Sequence, residues 1–273
     1  MTDWYELNRA NWDERADPHA ASPSYAVARF LQEPDFLSDV VRFDQPRLGD
    51  LTGLRAVHLQ CHIGTDTLSL HRLGARLTGL DFSAPALAQA RDLAARTGAS
   101  IDYVQALVYD APEVLPLGAF DLVYTGIGAL CWLPDVRGWA QVVSQLLRPG
   151  GRLFIREGHP VLWSVDEARE DVLAIGYPYF EQAEPLIFDE PGSYVPTDAT
   201  FRHTRSASWN HGIGEIVTAV LEAGLRLSML VEHDSVPWIA LPNRMDALAG
   251  GEYRLSDRPS RLPHSYTLSA TKN

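Results

Sequence analysis

The chain has 273 residues, 46% of them hydrophobic and 21% charged, with a formal net charge of −12. That composition suits one large domain, or a core with a cap, and argues against disorder or a solenoid of repeats. The acidity argues against a grip on a phosphate backbone or an anionic membrane, which needs clustered Arg and Lys.

Met1 to Ala10 mix Asp3, Glu6 and Arg9 among apolar side chains, and no later run of 18 uncharged apolar residues follows. Cys61 and Cys131 are compatible with a reducing compartment, and the expectation is a soluble cytoplasmic protein. Residues 1–50 read as helices punctuated by Trp4, Tyr5, Trp12, Tyr25, Phe30, Phe36 and Phe43, and they hold ten acids against five bases. They are expected to form an N-terminal helical cap.

From residue 55 short β-like runs alternate with helical patterns, the signature of a parallel sheet covered on both faces. The runs are Arg55 to Cys61, Arg76 to Phe82, Ile101 to Ala106, Phe120 to Gly126 and Arg152 to Arg156. Between them, Leu87, Ala90 and Ala94 share a helical face behind the cap candidate Ser83. A second helix places Val136, Trp139, Val143, Leu146 and Leu147 on one stripe, ended by Pro149-Gly150-Gly151. A third, through Ile213, Ile216, Val217, Val220 and Leu221, stops at Gly224 and feeds a strand at Leu225 to Val231. Ser265 to Thr271 completes seven strands.

Residues 160–209 break the alternation. They carry eight aromatics, five prolines, nine acids and three bases, whereas 51–159 carry nine charges of each sign. The expected division is therefore a cap at 1–50, a core at 51–159 and 210–273, and an inserted substrate cap at 160–209. The expected fold class is α/β, a doubly wound, mostly parallel seven-stranded sheet. An aromatic insertion with an acidic rim suits a planar apolar acceptor or an amine.

Two features of the core point to a nucleotide. A strand running into Gly64-Thr65-Asp66-Thr67 and then a helix presents free N–H groups to an anionic ligand group. Asp81 ends the second strand about 20 residues on, where nucleotide folds place an acid against ribose hydroxyls.

The run Leu77-Thr78-Gly79-Leu80-Asp81-Phe82-Ser83, followed by Phe120-Asp121-Leu122-Val123-Tyr124 and Leu147-Arg148-Pro149-Gly150-Gly151-Arg152-Leu153, resembles class I S-adenosylmethionine-dependent methyltransferases. The resemblance covers 51 to about 160 well and 210–273 more loosely. Where that family shows an acid and three glycines around the first loop, this chain has His58, Gln60, His62 and Gly64, which resembles a variant motif of a bacterial subgroup. His58 then stands in for the usual carboxylate near the cofactor's amino-acid end. The resemblance implies S-adenosylmethionine as cofactor, held by Tyr25, His58, Gln60, Cys61, Gly64, Asp81, Phe82, Leu107, Val108 and Thr125, and methyl transfer to an oxygen or nitrogen of a small molecule.

In open parallel sheets ligands sit beyond the carboxyl ends of the strands. His159, after the fifth strand, and His211, before the third helix, are the candidate bases there. Glu232-His233-Asp234 lacks metal-ligand spacing and reads as a solvated edge, so no metal is expected. A non-catalytic nucleotide-binding protein is the alternative from another class. An NAD(P)-dependent oxidoreductase is disfavoured because Gly64 stands without the G-x-G-x-x-G spacing.

Overall fold

The computed structural model describes residues 3–169 and 171–273. Met1, Thr2 and Glu170, which the divisions 1–50 and 160–209 include, lie outside the described residues, as do the first two positions of the N-terminal leader reading. In chain order the helices are α1 (Trp4–Ala21), α2 (Val27–Gln32), α3 (Asp39–Leu48), α4 (Thr65–Arg72), α5 (Ala84–Thr97), α6 (Ala111–Val114), α7 (Val136–Leu146), α8 (Pro160–Trp163) and α9 (Ile213–Glu222). The strands are β1 (Arg55–Leu59), β2 (Arg76–Asp81), β3 (Asp102–Gln105), β4 (Phe120–Thr125), β5 (Leu147–Gly158), β6 (Leu186–Asp189), β7 (Arg205–Ser208), β8 (Leu225–His233), β9 (Met245–Ala247), β10 (Tyr253–Leu255) and β11 (Ser265–Lys272).

Seven strands form one sheet, as the sequence pattern implies, and their order is β3-β2-β1-β4-β5-β11-β8. β1 pairs in parallel with β2 and β4, and β11 runs antiparallel to both β5 and β8. β1 is buried from Ala56 to Leu59, and a strand covered on both faces needs no polar alternation. One side of the sheet packs Val57, Leu59 and Ile155 on Trp139, Val143 and Leu146 of α7; the other packs Ala56, Leu77, Leu122 and Phe154 on Val41 and Leu48 of α3.

Local signals set the helix ends. Ser83 Oγ accepts from Ala86 N–H at the start of α5, and Gly98 ends it in the left-handed region; Asp135 accepts from Gly138 N–H at the start of α7. The fifth strand departs from expectation by beginning at Leu147 and continuing through Pro149-Gly150-Gly151. Its register against β4 shifts between Phe120 and Leu122. A Cβ at Gly151 would stand 2.7 Å from Phe120 O, so the glycine lets the chain bulge there and stay paired.

The first helix and the insertion are joined. Asn8 exchanges two hydrogen bonds with the Ala207 backbone, at 2.9 and 2.8 Å, Asn11 donates to His203 O and Arg205 O, and Arg15 donates to His203 O and Gly192 O. The β6–β7 hairpin is thus fastened along the polar face of α1. The other side of α1 reaches α5 through Ser83 Oγ, which donates to Asp13 at 2.6 Å, and Gln89, which donates to Asp17 at 2.8 Å. A second excursion, 234–264, carries the β9–β10 hairpin between β8 and β11, and the sequence pattern gave no sign of it. Among the described residues no helix is long and apolar enough to cross a membrane.

Candidate active site

A cavity of about 760 Å³ opens beyond the carboxyl ends of β1, β2 and β4, where the topology of a parallel sheet places ligands. Its floor is the loop leaving β1. Gln60, His62 and Gly64 have φ of 56°, 48° and 77°, so all three occupy the left-handed region that glycine enters freely. The side chains at 60 and 62 are tied down individually. Gln60 Nε2 donates to Ala129 O at 3.0 Å, which fastens this loop to the one after β4.

His62 Nε2 lies 2.8 Å from His19 Nδ1, and His19 Nε2 lies 2.8 Å from Ser193 Oγ. Trp12 meets the His62 ring edge-on at 5.1 Å, and Tyr25 meets it at 5.5 Å. Burial lowers His19 to about 4 and holds His62 well below its ordinary value, so the two rings are neutral near neutral pH. The Tyr25 and Tyr194 hydroxyls bond to each other across the same rim.

Asp81 closes the next strand. Its carboxylate accepts from His62 N–H at 2.8 Å and Ser83 N–H at 2.9 Å, and burial raises it to about 6. Phe82, Leu107 and Val108 extend the wall from there. His58 sits in mid-strand with Nδ1 2.9 Å from Thr67 Oγ1, and burial lowers it to about 3. Cys61 is a buried free thiol raised by burial.

Of the ten residues expected around a cofactor, Tyr25, His58, Gln60, Cys61, Asp81, Phe82, Leu107 and Val108 line this one cavity, and Gly64 and Thr125 do not. A Cβ at Gly64 would stand 2.7 Å from both Ala90 Cβ and Tyr103 Oη, so its smallness lets α4 and α5 pack together. Thr125 is fully buried at the end of β4.

The loop after β4 is held by one carboxylate. Glu157 Oε1 accepts from Gly128 N–H and Gly158 N–H, each at 2.6 Å, and Oε2 from Ala129 N–H and Leu130 N–H, each at 2.8 Å. Burial raises its pKa against the pull of those four donors. Beyond this loop the wall turns aromatic: Trp132, Trp163, Trp238 and Tyr253. Trp163 and Trp238 stack at 5.6 Å, and a Cβ at Gly158 would meet the Trp163 ring at 2.7 Å, so glycine there gives the indole its place.

Neither candidate base reaches the cavity. His159 Nδ1 accepts from Val161 N–H and caps α8, while Nε2 lies 2.9 Å from Glu232. His211 Nδ1 faces Glu181 at 2.5 Å and Nε2 faces Leu133 O at 2.8 Å. Both pairs of ring nitrogens are spent on protein groups, so His159 and His211, the expected bases, stand outside the cavity lining with no nitrogen facing it. Glu181, His211 and Glu215 do bring ligand-type atoms within 4.8 Å of one another. The His211 nitrogens are already engaged by Glu181 and Leu133 O, and Glu215 pairs with Arg137 at 3.5 Å.

Asp66, Trp12, Trp132, Trp238 and Tyr253 also line the cavity and were not singled out from the sequence as ligand-binding. For Asp66 a signal existed, an acid in the first turn of the helix after the loop. For Trp238 and Tyr253 none did, since nothing in 234–264 marks it as returning to the sheet edge.

Residues 57–153 match the family described as "Methyltransferase domain". A ubiquinone biosynthesis O-methyltransferase of Cronobacter sakazakii is 38% identical over 108 residues, 40% of this chain and 44% of that protein. The chain thus spans less than half the length of the curated relatives it matches. Among solved structures, an S-adenosylmethionine dependent methyltransferase from Mesorhizobium loti superposes with a TM-score of 0.56 at 22% identity, over 86% of this chain and 98% of that one. Geranyl diphosphate C-methyltransferase from Streptomyces coelicolor superposes with a TM-score of 0.55 at 14% identity, over 85% and 78%. The seven-stranded sheet is the Rossmann-like methyltransferase fold, and the resemblance to class I S-adenosylmethionine-dependent methyltransferases is borne out over the segment that carries the motifs.

Proposed function

We propose that this chain transfers a methyl group from S-adenosylmethionine to an oxygen or nitrogen of a small aromatic or amine-bearing molecule. One observation carries the reading: a single cavity joins a nucleoside-type end, with Asp81, Phe82, Leu107 and Val108, to an aromatic end walled by Trp132, Trp163, Trp238 and Tyr253. The match of residues 57–153 to a methyltransferase domain and the O-methyltransferase relatives support it.

The donor set suits the cofactor. Asp81 offers a carboxylate to ribose hydroxyls, and Phe82, Leu107 and Val108 offer apolar surface to a purine. When bound, the sulfonium supplies an already activated methyl group. The protein's part is then to hold the acceptor in line and exclude water, since orientation at near-attack distance supplies much of the rate. Glu157 fixes the loop Gly128–Leu130 between the two ends, and the stacked indoles give a flat acceptor a face to lie on.

In this reading 1–50 is an N-terminal helical cap and 160–209 an inserted substrate cap over a core of 51–159 and 210–273, whose excursion 234–264 adds Trp238 and Tyr253 to the aromatic wall. The protein works in the cytoplasm, where Cys61 and Cys131 stay as free thiols. Calorimetry with S-adenosylmethionine and S-adenosylhomocysteine tests the first half, and binding of neither ends the reading. Mass-spectrometric detection of methylated product over phenols, aromatic amines and small anionic acceptors tests the second. Equal turnover of anionic and aromatic acceptors would sink the acceptor class.

A further inference from the structure

The strand position at which the resemblance places an acid is His58, and the consequence reaches a neighbouring helix. Building on the methyltransferase reading above, we propose that Asp66 supplies the carboxylate that pairs with the ammonium of the cofactor's amino-acid end.

An S-adenosyl amino acid brings a zwitterion into the cavity. Its carboxylate suits the free N–H groups where the loop meets α4. Its ammonium needs acceptors, preferably an anionic one. His58 offers no charge, and Nδ1 is engaged with Thr67, so only Nε2 is left to face a ligand.

Asp66 lies in the first turn of α4, half-buried in the cavity wall. A Cβ built on Gly126, the residue after β4, would stand 3.4 Å from His58 Nε2 and 3.6 Å from Asp66 Oδ2. The imidazole and the carboxylate therefore face one spot, at the end of β4. Burial raises Asp66 to about 6, and no cation offsets the rise. The group thus has no positive partner of its own among the described residues.

Of the other acids of the cavity, Glu190 is exposed on the insertion, and the remaining two are committed. Asp81 holds two backbone N–H groups at the ribose end, and Asp39 is exposed and paired with Arg42. Moving the carboxylate from mid-strand to the helix keeps a charge for the ammonium, and the dipole of the α4 N-terminus favours its ionised form.

The test compares S-adenosylhomocysteine with two probes, its deaminated analogue and 5′-methylthioadenosine, which lacks the amino-acid end. Titration calorimetry of Asp66→Asn is expected to show a loss of roughly 10- to 100-fold for S-adenosylhomocysteine. Affinity for 5′-methylthioadenosine is expected to stay within about twofold, because no contact with it is removed. Without any variant, the unaltered protein should prefer S-adenosylhomocysteine over the deaminated analogue by the same factor, and Asp66→Asn should abolish that preference. Equal losses for both natural nucleosides, or no preference for the amine in the unaltered protein, would overturn the proposal while leaving the methyltransferase reading intact. Binding of no nucleoside by the unaltered protein overturns both.

Discussion

Nε2 of His62 and Nδ1 of His19 stand 2.8 Å apart, so the loop leaving β1 and the first helix are linked ring to ring. His19 also reaches Ser193 at 2.8 Å, and the cap is latched to the cavity floor through one imidazole. His19→Ala leaves His62 Nε2 and the Ser193 hydroxyl without that partner, at about 1–3 kcal/mol. Affinity for S-adenosylhomocysteine is expected to fall roughly 5- to 50-fold by calorimetry. His62→Gly removes the same link but relieves a left-handed backbone, so its Tm should lie above that of His19→Ala with a similar loss of affinity. Unchanged affinity in both variants would show that the link is incidental.

Asp81→Ala should weaken cofactor binding by about 1–3 kcal/mol, because it removes a charged acceptor from the ribose end. The carboxylate stands near 6 in the free protein, and hydroxyl donors favour its ionised form. Binding then releases a proton, and the dissociation constant rises as pH falls below about 6. With Asp66 also near 6, the limiting slope of log Kd against pH approaches two protons, and one in Asp66→Asn. A flat profile between pH 5 and 8 contradicts both assignments.

Glu157 accepts two N–H groups on each carboxylate oxygen. In Glu157→Gln one of those oxygens becomes an NH₂ facing two buried donors. The expected cost is about 2–5 kcal/mol, seen as a fall in Tm of roughly 5–15 °C. A variant as stable as the parent would mean that the loop Gly128–Leu130 does not need the carboxylate.

Asp44 is buried and accepts from the Tyr124 hydroxyl at 2.7 Å, and burial raises it to about 7 although Arg156 pulls the other way. An acid whose folded pKa lies above its unfolded value favours folding most when protonated. Its contribution is full below pH 4 or so and is lost as pH rises through about 7. Asp44→Asn carries no charge at either extreme. The variant should match the parent in Tm at pH 5 and exceed it at pH 8; the reverse order would reject the account.

Trp238→Ala should raise the KM for an aromatic acceptor roughly tenfold, since it removes half of the indole stack. The dissociation constant of S-adenosylhomocysteine should not move, because Trp238 belongs to the other end of the cavity. A matched loss in both would mean that the two ends are not separate.

Much of the core was legible because its signals are local. Ser83 marks a helix start by its own hydrogen bond, and the apolar runs of β1 and β4 need only burial on both faces. Asp81 was legible for the same reason, as a strand-terminal acid at a fixed distance from a loop. The engagement of His159 by Glu232 and of His211 by Glu181 and Leu133 was not legible, because those pairings join positions 30 to 78 residues apart. Tyr253 belongs to a hairpin whose three-residue strands are too short to show periodicity, and Trp238 to the irregular stretch before it.

The face of α1 that carries Asn8, Asn11 and Arg15 meets backbone groups 175 to 199 positions away. Those three side chains satisfy carbonyls of a short two-stranded hairpin, as a neighbouring strand would in a wider sheet. The insertion and the first helix are therefore one exchangeable part supplied in two pieces. A graft of the insertion onto another core has to bring the first helix with it, and either moved alone arrives with unpaired backbone groups.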